Sequence, residues 1–114
     1  MGAVKVKEIN LERGSPTVES AVGRLVNELS TAKRAGYKAA VLIHGYGSSG
    51  SGGAIKIAVK EKLKERSLSG IVRNFTGGED WINSRREFTE MCSQLQDFNR
   101  YIDGNRGITV VLLK

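Results

Sequence analysis

The sequence has little cysteine and no long apolar run. It contains one cysteine, Cys92, so no internal disulfide can form, as is typical of proteins from a reducing compartment. No apolar run approaches the roughly 20 residues that a membrane-spanning helix needs. The first residues, 1–7, lack the apolar centre of a secretion signal. We therefore expect a cytoplasmic protein with no membrane partner.

Acidic residues are also in the minority. The 114 residues include 18 lysines and arginines against 12 aspartates and glutamates, a net charge of +6. A hydrophobic content of 39% with 26% charged residues is ordinary for one globular domain of this length. The excess of positive charge favours a polyanionic partner, nucleic acid first. Many small basic domains bind no nucleic acid, so charge alone leaves that alternative open.

The hydrophobic pattern predicts alternating strands and helices. Predicted strands cover 4–11, 39–43, 71–75 and 108–113, and predicted helices cover 17–36, 53–66 and 84–104. Thr17 is a suitable N-cap for the first helix and Gly36 a suitable C-terminal cap. The order βαβαβ-αβ predicts one layered α/β domain over 1–114, with the first two strands parallel.

A glycine-rich loop follows the buried strand 39–43 and leads into a basic helix. Such a loop directs backbone N–H groups and the positive end of a helix to one point, which suits a phosphate. His44 can donate to a phosphate or transfer a proton, or it can be a structural histidine that fixes the loop backbone. Arg73 on the third strand is expected to reach the same edge. The predicted phosphate contacts are Gly45, Tyr46, Gly47, Ser48, Gly50, Lys56, Lys60 and Arg73.

Three better-known glycine motifs fit this loop poorly. The spacing Gly45-x-Gly47-x-x-Gly50 matches the dinucleotide fingerprint, but it follows the second strand, and no acidic residue ends the predicted third strand. No Lys-Ser or Lys-Thr follows, as a P-loop requires. An α/β-hydrolase oxyanion loop would need a nucleophile elbow and a further histidine, but His44 is the only histidine.

Three segments resemble the small MutS-related (Smr) domain, found at the C-terminus of MutS2-type proteins. The sequence Val-Leu-Ile-His-Gly-Tyr-Gly at 41–47 resembles the second motif of that family. Residues 9–21 resemble its opening strand, turn and helix, and 107–112 resemble its last strand. The resemblance implies a two-layer α/β sandwich with a mixed four-stranded sheet, similar to the C-terminal domain of translation initiation factor 3.

The resemblance also implies binding of DNA or RNA, often with nicking endonuclease activity. The first-motif aspartate and histidine of the family correspond here to Asn10 and Glu12. Because asparagine is neither a base nor an anionic metal ligand, a nuclease would need Glu12, Arg13 and His44 in rearranged roles, either with a divalent metal as its cofactor or without one. The predicted helix over 84–104 is an insertion relative to the usual domain. Alternatively, the chain is a protein-interaction module that uses this helix and no nucleic-acid chemistry.

Overall fold

A mixed four-stranded sheet forms the centre of the protein. The computed structural model describes residues 4–14, 16–45 and 52–114. The strands of these ranges are β1 (Val6–Asn10), β2 (Ala39–Ile43), β3 (Val72–Gly77) and β4 (Ile108–Leu113), in the spatial order β1-β2-β4-β3. β1 and β2 are parallel, and β4 runs antiparallel to β2 and β3. The predicted α/β class, the mixed sheet and the parallel first pair are confirmed.

Helices cover both faces of the sheet, so the domain has three layers where the resemblance implies two. On one face lie α1 (Val18–Arg34) and α2 (Gly52–Leu63); on the other lie α3 (Trp81–Met91), a 3₁₀ segment (Ser93–Phe98) and the single turn α4 (Asn99–Ile102). β2 alternates between the two cores, with Ala40 and Leu42 in the first and Ala39 and Val41 in the second. This explains its uninterrupted apolar sequence. In the described ranges, no helix has the length and apolarity needed to cross a membrane.

The ends of α1 follow the sequence signals. The Thr17 hydroxyl accepts a hydrogen bond from the Ser20 backbone N–H at 3.0 Å, which satisfies one donor of the first turn. At the other end Gly36 has φ +91°, a left-handed conformation that glycine adopts without steric cost. Both predicted caps are confirmed.

The single helix predicted over 84–104 is wrong in its bounds. α3 begins at Trp81, directly after a 3₁₀ turn over Gly78–Asp80, and the Trp81 indole is fully buried in the core. Ser84 therefore lies inside the helix, and the Glu87 carboxylate accepts a hydrogen bond from the Asn74 side chain at 3.1 Å. The extended backbone of Cys92 (φ −144°, ψ 94°) ends α3 and gives way to the 3₁₀ segment.

A close contact between backbones at Gly78 leads to a stability prediction. A Cβ at Gly78 would overlap the carbonyl oxygens of Asn105 and Ile102, neither of which can move without shifting the backbone. We expect Gly78→Ala to lower the free energy of unfolding by about 1–3 kcal/mol, as overpacking does. Gly23→Ala is the matched control, because Gly23 lies in α1 with no neighbour within 4 Å, and alanine there should add about 0.5–1 kcal/mol. Urea titrations that rank the two variants otherwise would contradict this packing.

Candidate nucleic-acid interface

The candidate site lies at one edge of the sheet. β1 and β2 are parallel, and β3 shares their direction because both β2 and β3 run antiparallel to β4. The carboxyl ends of these three strands therefore meet where β4 begins. We call this edge the carboxyl edge and define it by residues 10–13, 44–45, 77–80 and 105–107. In α/β sheets, ligands bind outside the carboxyl ends of strands.

His44 stands at the end of β2 and is completely buried. Its Nδ1 lies 2.6 Å from the carbonyl oxygen of Gly45, and its Nε2 lies 2.8 Å from the Thr109 hydroxyl. Because a carbonyl can only accept, Nδ1 carries the proton of the neutral ring, and the Thr109 hydroxyl donates to Nε2. Both ring nitrogens therefore have protein partners, an arrangement that fits the structural alternative for His44.

The surroundings of His44 favour its neutral form. Burial is the main cause, and it lowers the pKa of His44 below the ordinary value of 6.5. The hydrogen bond to the Gly45 carbonyl raises the pKa but does not offset burial, and the positive charge of Lys56 lowers it further. At neutral pH the ring is therefore an uncharged part of the carboxyl edge.

Gly45 begins the loop with a left-handed backbone, φ +68°. The N–H groups of His44 and Gly45 both donate to the carbonyl oxygen of Gly107, at 2.9 and 3.0 Å. A Cβ on Gly107 would lie 3.1 Å from the Gly45 Cα, so the two backbones pass close to each other. A phosphate contact through the Gly45 amide would have to break its bond to Gly107.

A turn after β1 brings Glu12 and Arg13 to the same edge. The side-chain oxygen of Asn10 accepts the backbone N–H of Glu12 at 2.8 Å, a bond typical of an Asx turn. Arg24 on α1 donates to the carbonyl oxygens of Asn10 and Arg13, both at 3.3 Å, and so holds the turn against the helix. The Glu12 carboxylate occupies the space beside Gly45 where a Cβ would otherwise project.

An ion-pair network links α2 to the turn after β3. The Lys56 ammonium lies 2.7 Å from a Glu79 carboxylate oxygen, and the Lys60 ammonium lies 3.7 Å from the same oxygen. Burial of Glu79, the largest influence, raises its pKa. The Lys56 hydrogen bond, the Glu79 backbone N–H and the two lysine charges act against burial, and the net pKa of Glu79 is below its ordinary value. The carboxylate is therefore ionised at neutral pH.

Sequence reasoning missed Glu79 because it ended the third strand too early. The predicted strand ended at Phe75, and Glu79 lies beyond that predicted end. β3 continues to Gly77, and Glu79 follows in a 3₁₀ turn over Gly78–Asp80. The signal was the acidic pair Glu79-Asp80 directly after a strand that parallels β2.

Comparison with known families decides the family of this chain. The model of the Smr domain matches residues 13–114. The chain belongs to the Smr family. Among solved structures, the Smr domain of Thermus thermophilus MutS2 matches with a TM-score of 0.61 and 25% sequence identity, covering 95% of this chain and 98% of that chain. A comparison with curated proteins gave no match.

The structure of this Smr domain brings together only some of the predicted site residues. Glu12, Arg13, His44, Gly45, Lys56 and Lys60 lie at the carboxyl edge or on the helix beside it. Tyr46, Gly47, Ser48 and Gly50 lie outside the described residues. The catalytic and binding roles assigned to all of these residues stay predictions.

Arg73 does not converge with them, and the expectation that it does is wrong. It lies beside Val72 at the beginning of β3, where Val72 pairs with Leu113 at the far end of β4. His44 contacts Gly107, just before β4 begins. Five to six strand residues separate the two places, roughly 17–20 Å at the rise of a strand. Arg73 therefore belongs to the opposite end of this Smr domain.

Possible metal ligands are scattered in the part of the domain that the structure describes. Within 4–14, 16–45 and 52–114, no three or more histidine, cysteine, aspartate or glutamate side chains cluster in a way that could hold an ion. Glu12 and Glu79 are both at the carboxyl edge, but the Glu79 carboxylate forms ion pairs with two lysines. A divalent metal cofactor for this Smr domain stays a prediction.

Proposed function

We propose that this Smr domain binds the phosphate backbone of DNA or RNA at the carboxyl edge. The observation that carries the proposal is the convergence of three strand ends and the beginning of α2, with Arg13, Lys56 and Lys60 around them. Backbone N–H groups at a helix N-terminus and nearby cations are the usual partners of phosphate oxygens. The net charge of +6 supports the same partner.

The three cations differ in their exposure and in the ion pairs that they already form, and therefore in how readily they can bind a phosphate. Arg13 is exposed and has no ion pair among the described residues. Lys60 is only 3.7 Å from Glu79 and its side chain is 36% exposed, a weak pair that a phosphate can replace. Lys56 is more buried and directly bonded to Glu79, yet its ammonium has two further hydrogens to donate. Arg13 and Lys60 are therefore the better residues to test.

The geometry supports binding more strongly than cleavage. A general base must place a free lone pair within hydrogen-bonding distance of the proton it removes. Both ring nitrogens of His44 are used by Gly45 and Thr109, and the Nε2 lone pair accepts from the hydroxyl. Nicking activity stays a prediction that follows from the family resemblance, with Glu12 as the carboxylate predicted to take part in it.

The double variant Arg13→Gln/Lys60→Gln tests the proposal. We expect it to weaken binding of unrelated duplex sequences alike, because phosphate contacts carry no sequence information. For duplex DNA, the plot of log affinity against log salt should become shallower by about 1.8, which is 0.9 for each lost phosphate contact. Fluorescence anisotropy with a labelled 24-base-pair DNA duplex, and with the RNA duplex of the same sequence, measures both effects.

The matched control is Lys62→Gln/Arg86→Gln, which removes the same charge from residues already paired within their own segments. A general effect of net charge would weaken both double variants equally. If the carboxyl-edge variant binds no more weakly than the control, the carboxyl edge is not the nucleic-acid site. If the unaltered domain binds neither duplex, the proposed function is wrong.

A further inference from the structure

A second basic surface lies at the end of the sheet opposite the carboxyl edge. We call it the end groove, a cleft of about 290 Å³ formed where α1 ends, β2 and β3 begin and β4 ends. The side chains that matter here are Lys33, Tyr37, Lys38, Arg73, Met91 and Lys114. Four of the six are cations, contributed by four different parts of the chain.

Backbone hydrogen bonds fix the positions of these cations. The Lys38 N–H donates to the Lys5 carbonyl at 2.8 Å, and the Lys38 carbonyl accepts from Leu113 at 2.9 Å. The Lys114 N–H donates to the carbonyl of Ile71 at 2.9 Å, two residues before Arg73. The charges are thus attached to the ends of paired strands. Their arrangement follows from the sheet itself.

The described side chains that line the end groove include four cations and no carboxylate. Of the described residues that line it, none is an aspartate or a glutamate. None of the four ion pairs formed within the described ranges includes Lys33, Lys38, Arg73 or Lys114. Lys56 and Lys60 at the carboxyl edge, in contrast, share Glu79. A cluster of like charges costs free energy through self-repulsion, which a bound polyanion would relieve.

Apolar side chains accompany these charges. Tyr37 is half-buried against the core below α1, and Met91 at the end of α3 is 45% exposed. A groove with cations and an exposed apolar wall can contact both the phosphates and the sugars of a nucleic-acid backbone. An acidic protein surface would use the same cations, and in that case the end-groove variant described below would bind DNA like its charge control.

We propose that the end groove is a second contact for the phosphate backbone of the duplex held at the carboxyl edge. This inference rests on the proposed function. The two surfaces are roughly 17–20 Å apart along the sheet, less than the length of one turn of B-DNA, about 34 Å. A duplex that lies along the domain is therefore long enough to span the distance between them. Arg73 then contacts nucleic acid, but not through the loop.

The experiment uses Lys38→Gln/Arg73→Gln in the full chain. With the 24-base-pair DNA duplex, we expect affinity to fall at least tenfold at 0.1 M salt and the salt dependence to become shallower by about 1.8. Lys62→Gln/Arg86→Gln controls for charge. Lys38→Arg/Arg73→Lys keeps both charges and should bind like the unaltered domain. Circular dichroism melting of each variant shows that the fold is retained.

The possible results separate this inference from the proposed function. If Lys38→Gln/Arg73→Gln binds like its charge control while Arg13→Gln/Lys60→Gln is weaker, the end groove is not a contact, and the carboxyl edge remains the site. If both variants are weaker than the control, the inference is supported. If the unaltered domain binds no duplex, both proposals are wrong.

Discussion

Replacing Trp81 with alanine should lower the free energy of unfolding by about 3–5 kcal/mol, the usual cost of deleting a large buried aromatic side chain. Trp81 is fully buried, and its ring meets that of Phe88 edge to face with centroids 5.8 Å apart. Its indole N–H donates to the Asn99 side chain at 2.7 Å, so the substitution also leaves that acceptor without its partner. Urea denaturation monitored by circular dichroism measures the loss.

Tyr101→Ala is the control for that measurement, because this side chain is 44% exposed in the same helical layer. We expect it to change stability by less than about 1 kcal/mol. Equal losses in the two variants would mean that the layer is not anchored through Trp81.

The burial of this layer also determines how the protein-interaction alternative can be tested. Deleting 84–104 would remove Phe88, Leu95 and Ile102 from the core, so that alternative is better tested by changing an exposed residue of the segment, such as Tyr101.

The stability of the protein should decrease as the pH falls below 6.5, and His44 should be the cause. In the unfolded chain His44 titrates near 6.5, whereas burial lowers its pKa in the folded protein. Between the two values the unfolded state binds a proton that the folded state does not. The stabilisation is therefore complete above pH 6.5 and is lost as the pH falls toward the folded pKa, with a slope of at most about 1.4 kcal/mol per pH unit.

Urea titrations at several pH values from 5 to 7.5 measure this slope, and the variant His44→Gln isolates the contribution of the ring. His44 is the only histidine, so the variant has no other group of that kind to mask the effect. We expect the slope in this range to be shallower in His44→Gln. The same slope in both proteins would show that the folded protein protonates His44 as readily as the unfolded chain does.

The fold could be predicted where one local pattern determined the answer. The five apolar residues of β2 indicated a strand with both faces buried. Within that strand, the adjacent residues Ala40 and Val41 do face opposite cores. Thr17 and Gly36 are suited by their chemistry to the two ends of a helix, and they cap α1. The motif around His44 is typical of the Smr family, and the family match over residues 13–114 confirms that prediction. In each case the decisive interactions lie within a few residues in sequence.

The features that sequence reasoning missed depend on distant partners or exact boundaries. β3 begins one residue later and ends two residues later than predicted, and this shift moves Arg73 to the beginning of the strand and places Glu79 at the carboxyl edge. Each strand residue covers about 3.3 Å, so an error in where a strand begins or ends changes which end of the sheet a side chain is expected to lie at. His44 shares a hydrogen bond with Thr109, 65 residues away, and no local pattern indicates that partner.

The central place of β4 has a consequence for how the protein is made. β2 and β3 are not paired with each other and are joined only through β4, the last of the described strands in the chain. During translation, β1, β2 and β3 are therefore synthesised before β4, the strand that pairs with both β2 and β3. Until then, β2 has one unpaired side and β3 has none of its sheet partners, a state in which exposed strand edges favour aggregation. The nascent chain completes its sheet only when residues 108–113 leave the exit tunnel.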